Sequence, residues 1–392
     1  MRVKFLILLC FYCPSVFAEV DIDVVERYQQ LSRWLDTENA ELQPIIRFYN
    51  QQQGKGQDTQ EIAAGLYLQA CIKFQNYQCA LNRVDELLTL SPTQEKIHQL
   101  TALAVQLSFQ VKQYDRALEA TQQWKHSVGL LEPKQQPSVS EIAEIYTLAA
   151  YSASYLNHWH LSERYIKDAL DTVATKNRYQ FLLGIYQQTQ AMSKEVALLV
   201  KLTGLYPEES MFWLRLAQNR LITQQPKMAI AALSVLKAQG QLEEKQSILL
   251  AQLQLQENSP VAAYKTLEGL RVANKNQMKV DNLKLQALLL SRQREKALQL
   301  LDTFSQPKYL ATKSQLAYAE GKWPLAVSLL QQQIALEPKQ DKWRLLKGIA
   351  HFELQQYSLA IIEFQSLQKG KYKNSAQQWL SQSQYLFGTH SI

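Results

Sequence analysis

The sequence predicts an all-α protein built as a solenoid of stacked helical hairpins, and three observations support this prediction. Glycine and proline, which interrupt helices, number only 12 and 11 among 392 residues. Apolar residues recur at spacings of three and four rather than two, as in MFWLRLAQNRL at positions 211–221, so each helix has one apolar face. A small residue also returns at a fixed interval. Ala229, Ala263 and Ala297 are 34 residues apart, and Ala326 and Ala360 are again 34 apart after one step of 29.

The first 18 residues have the features of a signal peptide. Arg2 and Lys4 form a basic head, residues 5–12 are an apolar run too short to span a bilayer, and residues 16–18 (Val-Phe-Ala) form a cleavage site. We therefore predict export, with a mature chain that starts near Glu19. A retained anchor and a lipid-modified cysteine are the alternatives. No later segment has the eighteen or so uninterrupted apolar residues of a membrane-spanning helix, so we expect a soluble chain, with peripheral membrane association left open.

The net charge argues against nucleic acid as a partner. The whole chain carries 42 Lys and Arg against 35 Asp and Glu, and removal of Arg2 and Lys4 lowers the net charge from +7 to +5. Because acidic and basic residues alternate along the chain, we interpret the surface as mildly basic and not as a nucleic-acid footprint.

Two cysteines, Cys71 and Cys79, follow the predicted signal peptide. With the turn of a hairpin at Gln75 and Asn76, they lie on facing helices at similar distances from the turn, within the Cα range of a disulfide. An oxidising compartment favours a disulfide over a metal site, because no histidine or further cysteine lies nearby to complete four ligands. Two unpaired buried thiols are the alternative.

The repeated small residue indicates where two helices pack closely. Each small residue is followed four positions later by a large apolar residue, and a second position, mostly small, lies twelve before it. The large residues are Leu233, Leu267, Leu301, Leu330 and Phe364; the earlier positions are Ala217, Ala251, Leu285, Ser314 and Gly348. Small side chains let two backbones approach, and large ones fill the space beside them. Such a hairpin stacks on the next because it cannot bury its own apolar face. Upstream, Ala80 and Ala117 mark further second helices, Ser162 and Val196 stand in for alanine, and the count is about nine hairpins.

This pattern resembles the tetratricopeptide repeat: a 34-residue helix-turn-helix period, small residues at the eighth and twentieth positions, an aromatic residue near the seventeenth and a proline near the thirty-second. The best match is LEPKQDKWRLLKGIAHFELQQYSLAIIEFQSL, in which Gly348, Tyr357, Ala360 and Phe364 occupy the motif positions. The resemblance implies an α-solenoid wound as a right-handed superhelix, with the first helices of the hairpins lining its concave face.

The segment LLEPKQQPSVS, Leu130–Ser140, interrupts the pattern with two prolines and is predicted to be a boundary or a long loop between repeats. We therefore divide the chain into residues 1–18 (signal peptide), residues 19–135 (N-terminal helical repeats) and residues 136–392 (a C-terminal tetratricopeptide array). NQQQGKGQDTQ, Asn50–Gln60, is interpreted as a linker because its glycines lack the spacing of a phosphate-binding loop.

The sequence contains no recognisable catalytic constellation, metal-ligand cluster or cofactor motif. His158 and His160 are two positions apart and point in different directions on a helix, so they do not form a metal pair. We expect a protein that is not an enzyme and that has no catalytic residue, bound metal or cofactor. An enzyme with an unrecognised site is the alternative.

One recurrent pattern suggests a binding groove. The resemblance implies that the second, fifth, ninth and twelfth positions of the first helices face the groove, and similar residues recur there. The second position holds Lys245, Lys279, Lys308 and Lys342; the ninth holds Gln218, Gln252, Gln286 and Gln315; the twelfth includes Leu255, Leu289, Tyr318 and Phe352. A lysine beside a helix N-terminus opposes the helix dipole, so the pattern has no local benefit. We predict a groove for an extended acidic or carboxylate-bearing peptide. The alternative is that exposed lysines and glutamines are simply common in this chain.

The half of the chain from Tyr206 onwards resembles a particular family. The segments FWLRLAQNRLITQQPKMAIAALSVLKAQGQL and GIAHFELQQYSLAIIEFQSLQKGKYKNSAQQWL resemble secreted tetratricopeptide proteins of Gram-negative bacteria that accompany the TonB, ExbB and ExbD energy-transduction proteins. The resemblance implies a periplasmic scaffold that binds other envelope proteins, TonB-system components among them, and serves the uptake of iron carriers. The alternative function is an envelope-assembly factor that handles polysaccharide or outer-membrane components. The sequence does not predict the oligomeric state.

Overall fold

The computed structural model describes residues 20–90 and 93–389, and within these residues the chain is helical with no β-strand. The helices are α1 (Ile22–Leu35), α2 (Leu42–Gln52), α3 (Gln57–Lys73), α4 (Tyr77–Leu90), α5 (Gln94–Gln110), α6 (Tyr114–Val128), α7 (Val139–Tyr155), α8 (Trp159–Thr172), α9 (Lys176–Gln188), α10 (Met192–Leu205), α11 (Ser210–Ile222), α12 (Pro226–Ala238), α13 (Glu244–Gln256), α14 (Pro260–Leu267), α15 (Asn274–Leu290), α16 (Arg294–Leu301), α17 (Leu310–Ala319), α18 (Trp323–Leu336), α19 (Asp341–Glu353), α20 (Tyr357–Gln365) and α21 (Lys373–Thr389). A short 3-10 turn, Pro307–Tyr309, precedes α17. Nine successive pairs, from α3 with α4 to α19 with α20, form tetratricopeptide-like hairpins, so the predicted all-α hairpin fold is confirmed.

The chain divides into two compact units within α10, after Leu198. We call residues 20–198 the N-terminal unit and residues 199–389 the C-terminal unit. The predicted division between residues 135 and 136 lies in the loop between α6 and α7 and stays a prediction, as does the right-handed superhelix. The proposed signal peptide lies outside the described residues. Among the residues that are described, no helix is both long and apolar enough to cross a membrane.

Each of the nine hairpins turns through one residue in the left-handed backbone conformation. These residues are Gln75, Lys112, Asn157, Gln190, Gln224, Asn258, Arg292, Gly321 and Gln355, with φ between 54° and 66°. In the α11–α12 turn the Gln224 amide donates to the Leu221 carbonyl at 3.0 Å and the Gln225 amide donates to the Arg220 carbonyl at 2.7 Å. This pair of bonds is the Schellman motif, and the other eight turns repeat it. Eight of the nine positions hold a residue with a Cβ, at a cost of about 1 kcal/mol each.

The small residue that marks the repeat lies five positions after each turn residue. Ala80, Ala117, Ser162, Ala229, Ala263, Ala297, Ala326 and Ala360 occupy this position, and all eight are fully buried. The ninth was predicted wrongly as Val196. The turn residues Asn157 and Gln190 are 33 rather than 34 residues apart, so the position falls on Glu195, which is only 5% exposed. Val196 is partly exposed instead.

The two helices of a hairpin approach closely at the marked positions, as predicted. The Ser162 hydroxyl donates to the carbonyl of Ala150, twelve residues earlier, at 2.7 Å. Gly348, twelve residues before Ala360, lies against the ring of Phe364, which is fully buried. Close contact at these positions requires a small residue in at least one helix of the pair.

The core follows the hairpins along the chain. In the N-terminal unit, α1–α3 enclose one apolar cluster around Ile45, Phe48 and Ile62, and α3–α7 enclose a second around Leu103 and Trp124. In the C-terminal unit, four clusters follow one another from α11 to α21. The large apolar residues predicted to fill the hairpins are all buried there: Leu233, Leu267, Leu301, Leu330 and Phe364.

Helix α21 covers the last hairpin. Ala376 is fully buried against α20, and the Trp379 ring lies 5.1 Å from the Phe352 ring and 6.4 Å from the Phe364 ring, centroid to centroid. A terminal helix of this kind shields an apolar face that the next repeat would otherwise bury.

The loop between α6 and α7 contains the proline-rich interruption. Trp124 of α6 and Ile145 of α7 belong to the same apolar cluster, so the hairpins on either side of this loop pack together. In the segment Asn50–Gln60 only the residues between Gln52 and Gln57 form a connection, because α2 and α3 extend into it from both sides.

Candidate binding face of the C-terminal unit

The two units differ strongly in charge. The described residues of the N-terminal unit contain 16 Lys and Arg against 20 Asp and Glu, a net charge of −4. The C-terminal unit contains 24 Lys and Arg against 14 Asp and Glu, a net charge of +10. The sequence analysis missed this difference because the whole-chain total conceals it, although a count by halves reveals it. The C-terminal unit therefore attracts acidic partners.

The four lysines of the predicted groove lie at equivalent places in successive hairpins. Lys245 and Lys279 are on α13 and α15, Lys308 is in the 3-10 turn before α17, and Lys342 is on α19. The first three are exposed and Lys342 is partly buried. Among the described residues, no carboxylate lies within ion-pair distance of any of the four. Their charges are therefore available to a partner.

Two of these lysines rest on neighbouring aromatic rings. Lys308 Nζ lies 4.7 Å from the ring centroid of Tyr309, and Lys342 Nζ lies 4.8 Å from that of Trp343. Cation–π contacts at exposed sites are worth about 0.5–1 kcal/mol and leave the ammonium hydrogens free to donate.

The acidic residue beside Lys245 is occupied by helix α15. The Glu244 carboxylate accepts a hydrogen bond from the Asn276 side chain and another from the Ala273 amide, the latter at 3.1 Å. These bonds, with smaller contributions from Lys275 and Lys245, lower the pKa of Glu244 below its usual value. Glu244 thus secures the start of the next hairpin, and Lys245 has no contact ion pair with it.

The four glutamines present free amides on the same helices. Gln218, Gln286 and Gln315 are exposed and Gln252 is partly buried. None of their side chains hydrogen-bonds to another residue of the described chain. An amide in this position can donate to and accept from an extended peptide backbone.

The apolar set is more deeply packed than a gripping role requires. Leu255 is only 8% exposed and belongs to the core, whereas Leu289 is 38% exposed. Tyr318 and Phe352 are partly buried and meet Trp323 and Tyr357 of their own hairpins edge-to-face, with centroids 5.4 and 5.5 Å apart. Of this set, the structure therefore leaves Leu289, Tyr318 and Phe352 accessible to a ligand.

An aromatic cluster in the N-terminal unit escaped the sequence analysis. The Tyr114 and Tyr155 rings stack with centroids 4.5 Å apart, and the Phe109 ring lies 5.8 and 6.2 Å from them. Tyr151 joins Phe109 to Phe181 of the following hairpin. Phe109 occupies the twelfth repeat position, as Tyr318 and Phe352 do, so the same alignment extended upstream would have found it.

A buried carboxylate joins the second helices of two adjacent hairpins in the same unit. Glu163 of α8 accepts hydrogen bonds from Lys167 at 2.7 Å and from Lys194 of α10 at 3.0 Å. Burial acts to raise the pKa of Glu163, but these hydrogen bonds outweigh it and hold the pKa below its usual value. The arrangement is a structural ion pair.

The remaining residues singled out in the sequence have structural surroundings. Cys71 on α3 and Cys79 on α4 are bonded through their sulfur atoms, with Cα atoms 5.8 Å apart. His158 precedes α8 as its N-cap residue, and His160 is in its first turn. Across residues 20–90 and 93–389, no cluster of three or more His, Cys, Asp or Glu side chains could hold a metal ion.

No protein-family model matches the chain, and no curated protein matches it. Among solved structures, a tetratricopeptide repeat protein from Parabacteroides merdae is 10% identical over 62% of this chain and 99% of that chain, with a TM-score of 0.31. The Naa15/Naa10 complex bound to HypK-THB is 10% identical over 82% of this chain and 55% of that chain, with a TM-score of 0.41. The apo form of RapI is 11% identical over 94% of this chain and 99% of that chain, with a TM-score of 0.36. Likeness at these levels identifies no ligand or partner.

Proposed function

We propose that this protein is a non-enzymatic interaction scaffold whose C-terminal unit binds an extended acidic segment of another protein. The observation that carries the proposal is the +10 net charge of this unit together with four lysines, at equivalent positions of successive hairpins, that have no carboxylate partner. Charge that is neither paired nor needed by the local helix indicates a surface that meets an opposite charge elsewhere.

The three sets of side chains have distinct roles in this binding. The lysines attract the acidic segment and raise the association rate, each contributing less than about 1 kcal/mol to affinity. The free glutamine amides bond to the peptide backbone. Tyr318, Phe352 and Leu289 contact apolar side chains of the segment, and this contact sets its register.

We further propose that the partner is a protein of the periplasm or the inner face of the outer membrane. The Cys71–Cys79 bond supports this location because disulfides persist in oxidising compartments. The resemblance of residues 206–385 to secreted repeat proteins that accompany TonB, ExbB and ExbD makes components of that system the first partners to examine. The export signal and the cellular location stay predictions.

The direct test places a photo-crosslinking amino acid at Gln286 in the intact protein, expressed in cells, and identifies the captured proteins. Gln299, an exposed glutamine on the second helix α16 of the same hairpin, is the matched control position. The proposal expects a specific adduct from position 286 that is absent from position 299. Equal capture from the two positions would remove the first helices as the binding face.

A charge-reversal pair then tests the electrostatics. Changing Lys245, Lys279, Lys308 and Lys342 together to Glu should abolish the adduct at Gln286. The control changes four exposed lysines outside the first helices of the same unit, Lys265, Lys296, Lys339 and Lys369, and has the same effect on net charge. If both sets lower capture equally, general charge and not this face is responsible. If neither lowers it, the peptide-groove proposal is wrong. Capture of polysaccharide-synthesis or outer-membrane-assembly proteins would favour the envelope-assembly alternative.

A further inference from the structure

The repeat spacing is broken once in the C-terminal unit, at α16. This second helix has eight residues, whereas α12 has 13 and α18 has 14, and the next marked alanine follows after 29 residues. The α14 helix is equally short, but an extended connection of normal total length follows it. After α16 the missing residues have no replacement, so part of α18 lies uncovered.

A cavity of about 430 Å³ occupies this place. Its inner wall consists of Leu301 at the end of α16 and Leu329 of α18, which are fully and 94% buried respectively, because Leu329 is 6% exposed. Phe304 and Tyr309 form a side wall, with ring centroids 4.5 Å apart. Leu336, 56% exposed, lies at the mouth. The volume is within the range of about 300–1,000 Å³ for small-molecule sites.

One cation lies on the wall of this largely apolar cavity. Lys313 Nζ is 2.7 Å from the Asp302 carboxylate, and the lysine side chain is 22% exposed whereas the aspartate side chain is 59% exposed. Because Asp302 faces solvent, it can rotate into water while Lys313 stays in the wall. An anionic group in the cavity would then take over its place beside the ammonium.

The Tyr309 hydroxyl is already committed, because it donates to the Asn282 side chain of α15. The loop that bears the cavity is therefore held to the preceding hairpin, and its aromatic wall is preorganised. A preformed wall lowers the ordering cost of binding.

We propose that this cavity is a binding site for a small apolar monocarboxylate, whose chain lies against Leu301, Leu329 and Phe304 and whose carboxylate pairs with Lys313. The +10 net charge of the C-terminal unit favours an anion over a cation. The site is separate from the peptide-binding face, because α16 and α18 are second helices of their hairpins.

The test measures binding of decanoate to the full-length protein by isothermal titration calorimetry, with decanol as the uncharged analogue. The proposal expects saturable binding of one decanoate, binding of decanol at least tenfold weaker, and a loss of at least tenfold for decanoate in Lys313→Met. Lys339→Met, an exposed lysine of the same unit outside the cavity, should bind decanoate as the wild type does. Equal loss in the two lysine variants would refute the carboxylate pairing.

A filling variant locates the site. Ala335 lines the cavity mouth, and Ala238 occupies the equivalent position in the regular α12, nine residues after its marked alanine. Both are exposed, so neither substitution disturbs the core. Ala335→Phe should abolish binding of decanoate, while Ala238→Phe should leave it unchanged. Undiminished binding in Ala335→Phe, or the absence of saturable binding in the wild type, would overturn the proposal, and neither result depends on the peptide partner.

Discussion

The replacement of Gly348 by alanine tests the close helix contact on which the hairpin fold depends. In an ordinary helix interior this change stabilises a protein, by about 1 kcal/mol, because glycine loses more conformational freedom on folding. At Gly348 a Cβ would lie 2.5 Å from Phe364 Cε1 and 2.9 Å from Cζ, whereas ordinary contacts begin near 3.4 Å. The ring must therefore move by most of an ångström.

The Phe364 ring has little room for this movement. It is fully buried, and Leu345, Ala360, Leu367 and Ala376 belong to the same apolar cluster. Inserting a methyl group into a packed core costs about 1–3 kcal/mol. After the helix gain of about 1 kcal/mol is subtracted, Gly348→Ala should lower the local free energy of unfolding by up to about 2 kcal/mol.

The matched control is Gly184→Ala in the interior of α9, where a Cβ would meet no atom within 4 Å. This variant should gain up to about 1 kcal/mol, so the two glycine-to-alanine changes are expected to have opposite signs. Amide hydrogen exchange is the suitable assay, because it reports the stability of α19 and α20 separately from the rest of a repeat array.

A second substitution separates steric overlap from a general defect. Phe364→Leu removes the ring, so Gly348→Ala should cost less in that background, and the double-mutant cycle should show favourable coupling of at least about 1 kcal/mol. If Gly348→Ala instead matches Gly184→Ala in sign and preserves exchange protection in α19 and α20, the two helices do not meet at the repeat position and the reasoning fails.

Three further outcomes are expected. Gln224→Gly should stabilise the α11–α12 hairpin by up to about 1 kcal/mol in urea unfolding, because glycine tolerates its φ of 56°, whereas Gln225→Gly, at φ −114°, should not; equal effects would contradict the turn geometry. Cys71→Ala with Cys79→Ala should lower the stability of α3 and α4 by about 2–3 kcal/mol, and reductant should then destabilise the wild type but not the variant. Glu163→Gln should cost about 1 kcal/mol at neutral pH. Because the folded pKa of Glu163 is depressed, its contribution is present above its usual pKa and is lost as the pH falls through the lower folded value. Thermal melts of wild type and Glu163→Gln should therefore converge in acid, and a constant difference would exclude the ion pair.

The sequence predicted the hairpins well because close helix packing restricts residue type at single positions. Eight of the nine marked positions hold a small residue that is fully buried, and each is visible in the sequence by its spacing. The exception, Glu195, shows the limit of spacing alone. A turn that arrives one residue early moves the contact position by one, and only the left-handed residue Gln190 reveals the shift.

The candidate site was predicted in part. The lysines and glutamines are at helix positions whose exposure follows from the repeat, so the alignment located them correctly. Leu255 was expected to face a ligand, yet it is buried, because its exposure depends on how neighbouring hairpins cover it. The aromatic cluster of Phe109, Tyr114 and Tyr155 was missed because its members come from different hairpins and share no sequence interval.

The sequence by itself determined the helical hairpin, its period and the positions where two helices touch, since each of these is a local requirement recorded in residue type. Only the tertiary structure decided what the shortened α16 leaves behind: a cavity with Leu301 and Leu329 at its base and Lys313 on its wall. The missing residues are evident in the spacing, but the volume they vacate depends on whether α17 and α18 close over it. That outcome is set by the packing of several helices at once, which no single stretch of sequence encodes.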